Sequence, residues 1–150
     1  MTTTVDAPRA GAPWHFWLAT LIGLLWNAYG AYDYWMTKTG GDAYLRTSGM
    51  NDAQVAQYHS MPAYMTAVWA VGVWGGLLGA ILMLARSRWA FHVFLASLAA
   101  FLVSLVYAFG LSDEAKVMGQ QMVIVDAVIL AGCVFFVWYS RLMGKRGVLR

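Results

Sequence analysis

One acid stands where an acid is costly. Asp126 lies in an apolar run that starts near Val117, roughly 14 Å along a helix at 1.5 Å per residue. At the centre of a bilayer an acidic side chain costs about 2.5–3.5 kcal/mol on insertion scales. It must face protein or water, find a partner, or carry a proton. The same residue arithmetic puts Asn27 and Ser104 at similar depth in two other apolar runs, with Gln120 and Gln121 above them. A cluster of Asp126, Asn27, Ser104, Gln120 and Gln121 would bind a proton or a small solute. The plainer alternative is a buried acid hydrogen-bonded to Asn and Ser, fixing helix register. A second polar group, Asp33, Tyr32 and His59, falls at the opposite end of the first run and in the loop after it. These residues could line an outer vestibule. Alternatively, Asp33 salt-bridges Lys38 or Arg46.

Other chemistries find little support. His15, His59 and His92 show no i, i+4 pairing, so no metal site is expected. Cys133 is the single cysteine, so no intrachain disulfide can form, and no histidine is placed to activate it. No Ser-His-Asp arrangement is visible, and the acids are scattered over different depths, against a paired-carboxylate hydrolase. No catalytic residue and no cofactor is assigned. The glycines from Gly72 to Gly79 lack the Lys-Ser/Thr of a phosphate loop.

The elements that must hold these residues are apolar helices. Pro62–Ala85 contains no Asp, Glu, Lys or Arg. A hydrocarbon core about 30 Å thick needs about 20 such residues to be crossed. Across the 150 residues, 61% are hydrophobic and 11% charged, against about 25% charged in soluble proteins. The chain reads as all-α, a four-transmembrane-helix antiparallel bundle with helices at about 14–35, 62–85, 89–111 and 117–139. A tail at 1–13 should be flexible and cytoplasmic, the membrane domain should occupy 14–143, and 144–150 should form a basic cytoplasmic tail.

Trp14, Trp17, Tyr32, Tyr34 and Trp35 mark the ends of the first helix as aromatic belts do. The TKTGGD stretch reads as a turn opening the long loop 36–61. Within it, Asn51-x-x-Gln54 has the form of a capping box and predicts a short amphipathic helix to about Ser60. Gly72-x3-Gly76 and Gly75-x3-Gly79 lay Cβ-free surface along one face of the second helix, where another helix can approach closely.

Four crossings put Arg9, Arg86, Arg88, Arg141, Lys145, Arg146 and Arg150 on one side. The other side holds Lys38, Arg46 and Lys116, with most of the acids. Cytoplasmic loops are the basic ones, so both termini are expected in the cytoplasm. The net charge of +3 is thus a matter of topology, and no nucleic-acid partner is expected.

The stretches LLWNAYGAYDYWMTKT, YHSMPAYMTAVWAVGVWGGLLGAILML and the terminal GVLR resemble a group of small bacterial inner-membrane proteins often labelled sugar transporters. The resemblance spans nearly the whole chain. It implies a bacterial inner membrane, four helices and a transport role, and it brings no site residues with it.

Two functions follow as expectations. One is a small-solute or proton-linked transporter component acting as an oligomer, with copies joined through the second helix. The other is a non-catalytic accessory protein that docks other membrane proteins. A membrane enzyme acting on lipid or quinone is disfavoured by the missing nucleophile and metal cluster. The partners implied are the lipid bilayer and a second copy or another membrane protein.

Overall fold

A computed structural model describes residues 11–150. The tail expected at 1–13 therefore lies outside the described residues except for 11–13. All elements among the described residues are helical: α1 (Trp14–Thr47), α2 (Asp52–His59), α3 (Ala63–Leu84), α4 (Trp89–Val106), α5 (Glu114–Met118) and α6 (Gln120–Lys145). A π-helical segment, Tyr107–Leu111, continues α4.

Three stretches are long and apolar enough to cross a membrane: Ala63–Leu84, Trp89–Leu111 and Gln120–Lys145. Their surfaces are studded with exposed Leu, Val, Ile, Phe and Trp, a pattern suited to lipid as solvent. The chain is thus a helical membrane protein. α1 is not among the three, because His15, Asn27 and several Trp and Tyr rings dilute its apolar character.

The first boundary needs correction. The helix does not end near Trp35 but runs on to Gly40, and after a break at Gly41 a second helical stretch reaches Thr47, so most of 36–47 is helical and not loop. Two local features shape the TKTGGD stretch. Thr39 donates its hydroxyl to the Trp35 carbonyl at 2.8 Å. Gly41 then takes φ 56°, ψ −143°, outside the helical region, so one helical stretch ends there and a second starts at an angle to it. The part up to Gly40 is about 40 Å long at 1.5 Å per residue, longer than a hydrocarbon core of about 30 Å, so its last turns stand beyond the apolar layer.

The capping box forms as the spacing requires. Asn51 accepts from Gln54 N–H, and Gln54 Oε1 accepts from Asn51 N–H, both at 3.0 Å, which starts α2. Pro62 caps α3. The fourth long helix begins at Gln120 and not at 117, because Gly119 at φ 76° separates it from α5, and it continues six residues past Tyr139.

α3 packs antiparallel on α4 and also on α1, α4 packs on α6, and α2 meets α5. Phe16, Ala80, Met83, Ala90, Phe94, Phe136, Tyr139 and Met143 form the core near the chain's two ends. The last residues are not the free basic tail expected at 144–150. Val148 and Leu149 are buried in that core. Arg88 N–H donates to Arg150 O at 2.8 Å and Arg150 N–H to Arg86 O at 2.6 Å. Arg86 Nε also donates to Val148 O at 2.9 Å. The apolar pair inside GVLR converts a basic terminus into a strap over the α3–α4 turn.

Candidate functional site

The strap and the His15 to Tyr139 hydrogen bond, 2.7 Å, gather the start of α1, the 86–88 turn and the end of α6 at one end of the molecule. Asp33, Asp42, Asp52, Asp113 and Glu114 lie toward the other. The molecule is polarised, basic at one end and acidic at the other.

Asp126 is half-buried, six residues into α6. Its Oδ2 is buried and has no hydrogen-bond partner among the described residues. Buried polar atoms are nearly always paired, so this oxygen marks a place that calls for a proton, a water or an ion. Above it is Glu114, in the short α5 on the far side of the Gly119 break. Burial first, and then the negative charge of Asp126, push the Glu114 carboxyl above its ordinary value. The π-helical segment ends beside α5, where Ser112 donates its hydroxyl to the Tyr107 carbonyl at 3.0 Å. Glu114 is within electrostatic reach of the Tyr107 hydroxyl. Two acids, a tyrosine and two backbone irregularities thus converge at the acidic end of α4 and α6. Glu114 reads in the sequence as one loop acid among five residues, SDEAK, and only the fold of α5 onto α6 connects it to Asp126.

The remaining members of the expected intramembrane cluster are placed elsewhere. Asn27 donates its amide to Gly23 O at 2.7 Å and faces α3, where it lies against Gly76. Ser104 donates to Ala100 O at 3.2 Å on its own helix. Gln120 and Gln121 are exposed on the first turn of α6. No hydrogen bond joins any of them to Asp126. Depth along a helix follows from counting residues, whereas the direction a side chain faces depends on which helices are neighbours.

The glycines of α3 supply that missing direction. A Cβ at Gly76 would overlap Asn27 Oδ1, and one at Gly79 would come within 2.8 Å of the Phe94 ring. Gly75 faces Ser97, whose hydroxyl donates to Gly72 O at 2.6 Å. All four glycines are therefore occupied by α1 and α4 of the same chain, and a second copy would have to use another face.

The proposed vestibule residues also separate. Asp33 accepts from the Tyr44 hydroxyl at 2.7 Å. That bond, then burial, then the charge of Asp33 hold the Tyr44 phenol up to about 12. Neither Lys38 nor Arg46 pairs with Asp33: Lys38 Nζ donates to Tyr58 at 3.4 Å and Arg46 to Asp52 at 2.5 Å. His59 meets Asp42 at 2.6 Å, which ties α2 back to the kinked end of α1. Tyr32 is exposed, apart from both. Trp69 packs edge-on against Tyr34 and Tyr58, with centroids 4.7 and 6.5 Å away, joining α1, α2 and α3.

Compared with protein families, curated proteins and solved structures, the chain finds no match in any of the three.

Proposed function

We propose that the chain is a four-span protein of a bacterial inner membrane, with both termini in the cytoplasm, and that it takes up a proton at Asp126 as a component of small-solute transport. The unpartnered buried oxygen of Asp126 carries this reading. Intramembrane acids are rare and tend to mark proton relays and ion paths. Glu114 stands between that oxygen and the acidic end, a natural relay to the aqueous phase. The π-helical segment and the Gly119 break supply backbone freedom beside it. α1 supplies the fourth crossing: its first charged residue after His15 is Asp33. Among the described residues, six basic side chains (Arg86, Arg88, Arg141, Lys145, Arg146 and Arg150) at one end against three at the other support the orientation. A bundle this thin leaves little room for a solute path within one chain, so transport would need an oligomer.

The test is proton uptake into proteoliposomes reported by an enclosed pH dye, compared with empty vesicles and with Asp126→Asn. The wild type should exceed empty vesicles, and Asp126→Asn should lose the excess. Uptake equal to empty vesicles, or unchanged in Asp126→Asn, would sink the proton site. The accessory reading is favoured by a different observation, the open apolar face between α1 and α6, and it predicts no uptake in any form.

A further inference from the structure

α1 and α6 touch where Phe136 covers Gly23 and where His15 meets Tyr139. Beside these contacts runs an open groove of about 520 Å³. Leu18, Ile22 and Trp26 form one wall, and Val128, Gly132 and Phe135 the other. The groove is hydrocarbon and aromatic along its length and polar at one end, where His15 and Tyr139 close it.

We propose that this groove holds one acyl chain of an anionic phospholipid, with the phosphate at His15, Tyr139 and Arg146. Three features select this occupant. The first is length. From His15 to Trp26, and from Val128 to Tyr139, the walls run about 17 Å at 1.5 Å per residue, close to half of a hydrocarbon core of about 30 Å. A lipid chain spans one leaflet, whereas a partner helix would cross both and would need a seam of twice that length.

The second is polarity. The one polar pair lies at the end of the groove where headgroups of that leaflet would be, with the exposed indole of Trp14 against His15. The third is charge. Arg146 is within electrostatic reach of the Tyr139 hydroxyl, and Arg141 and Lys145 are exposed on the same end of α6. Basic pockets at membrane-helix ends favour anionic headgroups, with an increment of about fivefold in occupancy per basic residue. The volume suits a single chain and falls within the ~300–1,000 Å³ of small-ligand sites.

The groove also offers a clean perturbation. A Cβ at Gly132 would meet nothing within 4 Å, so a side chain there can start into the groove without a clash at its root.

The experiment reconstitutes the full chain in phosphatidylcholine vesicles with a trace of phosphatidylglycerol carrying a diazirine on its acyl chain. Crosslinked peptides are mapped after illumination. Labelling should concentrate on residues 18–26 and 128–135. Unlabelled phosphatidylglycerol should compete about fivefold better than added phosphatidylcholine. Gly132→Leu should cut labelling in the groove severalfold, while labelling of the exposed Leu95 and Leu102 face of α4 persists as the measure of a folded, inserted chain. Arg146→Gln should keep the labelling and remove the headgroup preference. Labelling that merely follows exposure, equal competition by the two lipids, or indifference to Gly132→Leu would overturn the proposal. So would an efficient disulfide between copies carrying Leu18→Cys with Cys133→Ala, which would put a second chain in the groove.

Discussion

Replacing Leu149 with Ala tests whether the strap at the end of the chain is structural. Leu149 is 1% exposed, among the core residues that include Phe16, Met83 and Met143. Removing the isobutyl group leaves the backbone pairing of Arg150 with Arg86 and Arg88 in place, so the substitution isolates the apolar contribution. Fully burying a leucine is worth about 1.5–3 kcal/mol, and Leu→Ala in closed cores costs about 2–5 kcal/mol once the cavity is counted. A site this enclosed belongs in the upper half of that range. The assay is reversible unfolding in mixed detergent micelles, read by ellipticity, with Leu84→Ala as control. Leu84 is 47% exposed on the outer surface of α3, and its loss should cost under about 1 kcal/mol because lipid or detergent already solvates it. If Leu149→Ala unfolds no more readily than Leu84→Ala, the terminus is the free tail that its basic composition suggests, and the burial argument fails.

Other outcomes follow from the same packing and charge arguments. Gly76→Ala should cost about 1–3 kcal/mol through overlap with Asn27, and adding Asn27→Ala should recover part of the loss; a purely additive double mutant would refute the contact. Gly30→Ala, whose Cβ meets nothing within 4 Å, should be neutral or stabilising by up to about 1 kcal/mol in the same assay. Asp33→Asn should bring the Tyr44 phenol down from about 12 toward 10.0, read by ultraviolet titration, because the carboxylate supplies both the accepted bond and the repelling charge. Glu114 holds its proton more tightly in the folded state than when unfolded. Its contribution to stability is therefore full below about 4.5, its ordinary value, and falls as pH climbs through the raised folded value. Glu114→Gln should flatten that part of the stability profile, and an unchanged slope would show that α5 does not bury the carboxyl.

What the sequence made legible was whatever depends on one helix at a time. Runs without charge gave Ala63–Leu84 and Trp89–Leu111 almost to the residue, and the Asn51/Gln54 box gave α2. Boundaries failed where a glycine had two uses. The TKTGGD stretch read as the opening of a loop and proved to be a break between two helical stretches at Gly41, while Gly119 divided a helix that looked continuous. Azimuth was the larger blind spot. Asn27 and Asp126 share a depth but not a partner, since Asn27 is held against Gly76 by the packing of α1 on α3.

That separation sharpens the case for Asp126. Had Asn27 and Ser104 turned toward it, their amide and hydroxyl would have satisfied the carboxyl and made it a structural pin. Each instead bonds to its own helix, Asn27 to Gly23 and Ser104 to Ala100. Glu114 is within electrostatic reach of the Asp126 carboxyl, and two carboxylates cannot stabilise one another as ions. Asp126 thus keeps a buried oxygen without a hydrogen-bond partner among the described residues, and it lies near the place where α5 and the π-helical segment interrupt regular helix. If Asp126→Asn raised stability while removing proton uptake, both halves of that argument would hold. A large loss of stability on the same change would mean that the carboxyl has a partner after all, and that its place in α6 is structural.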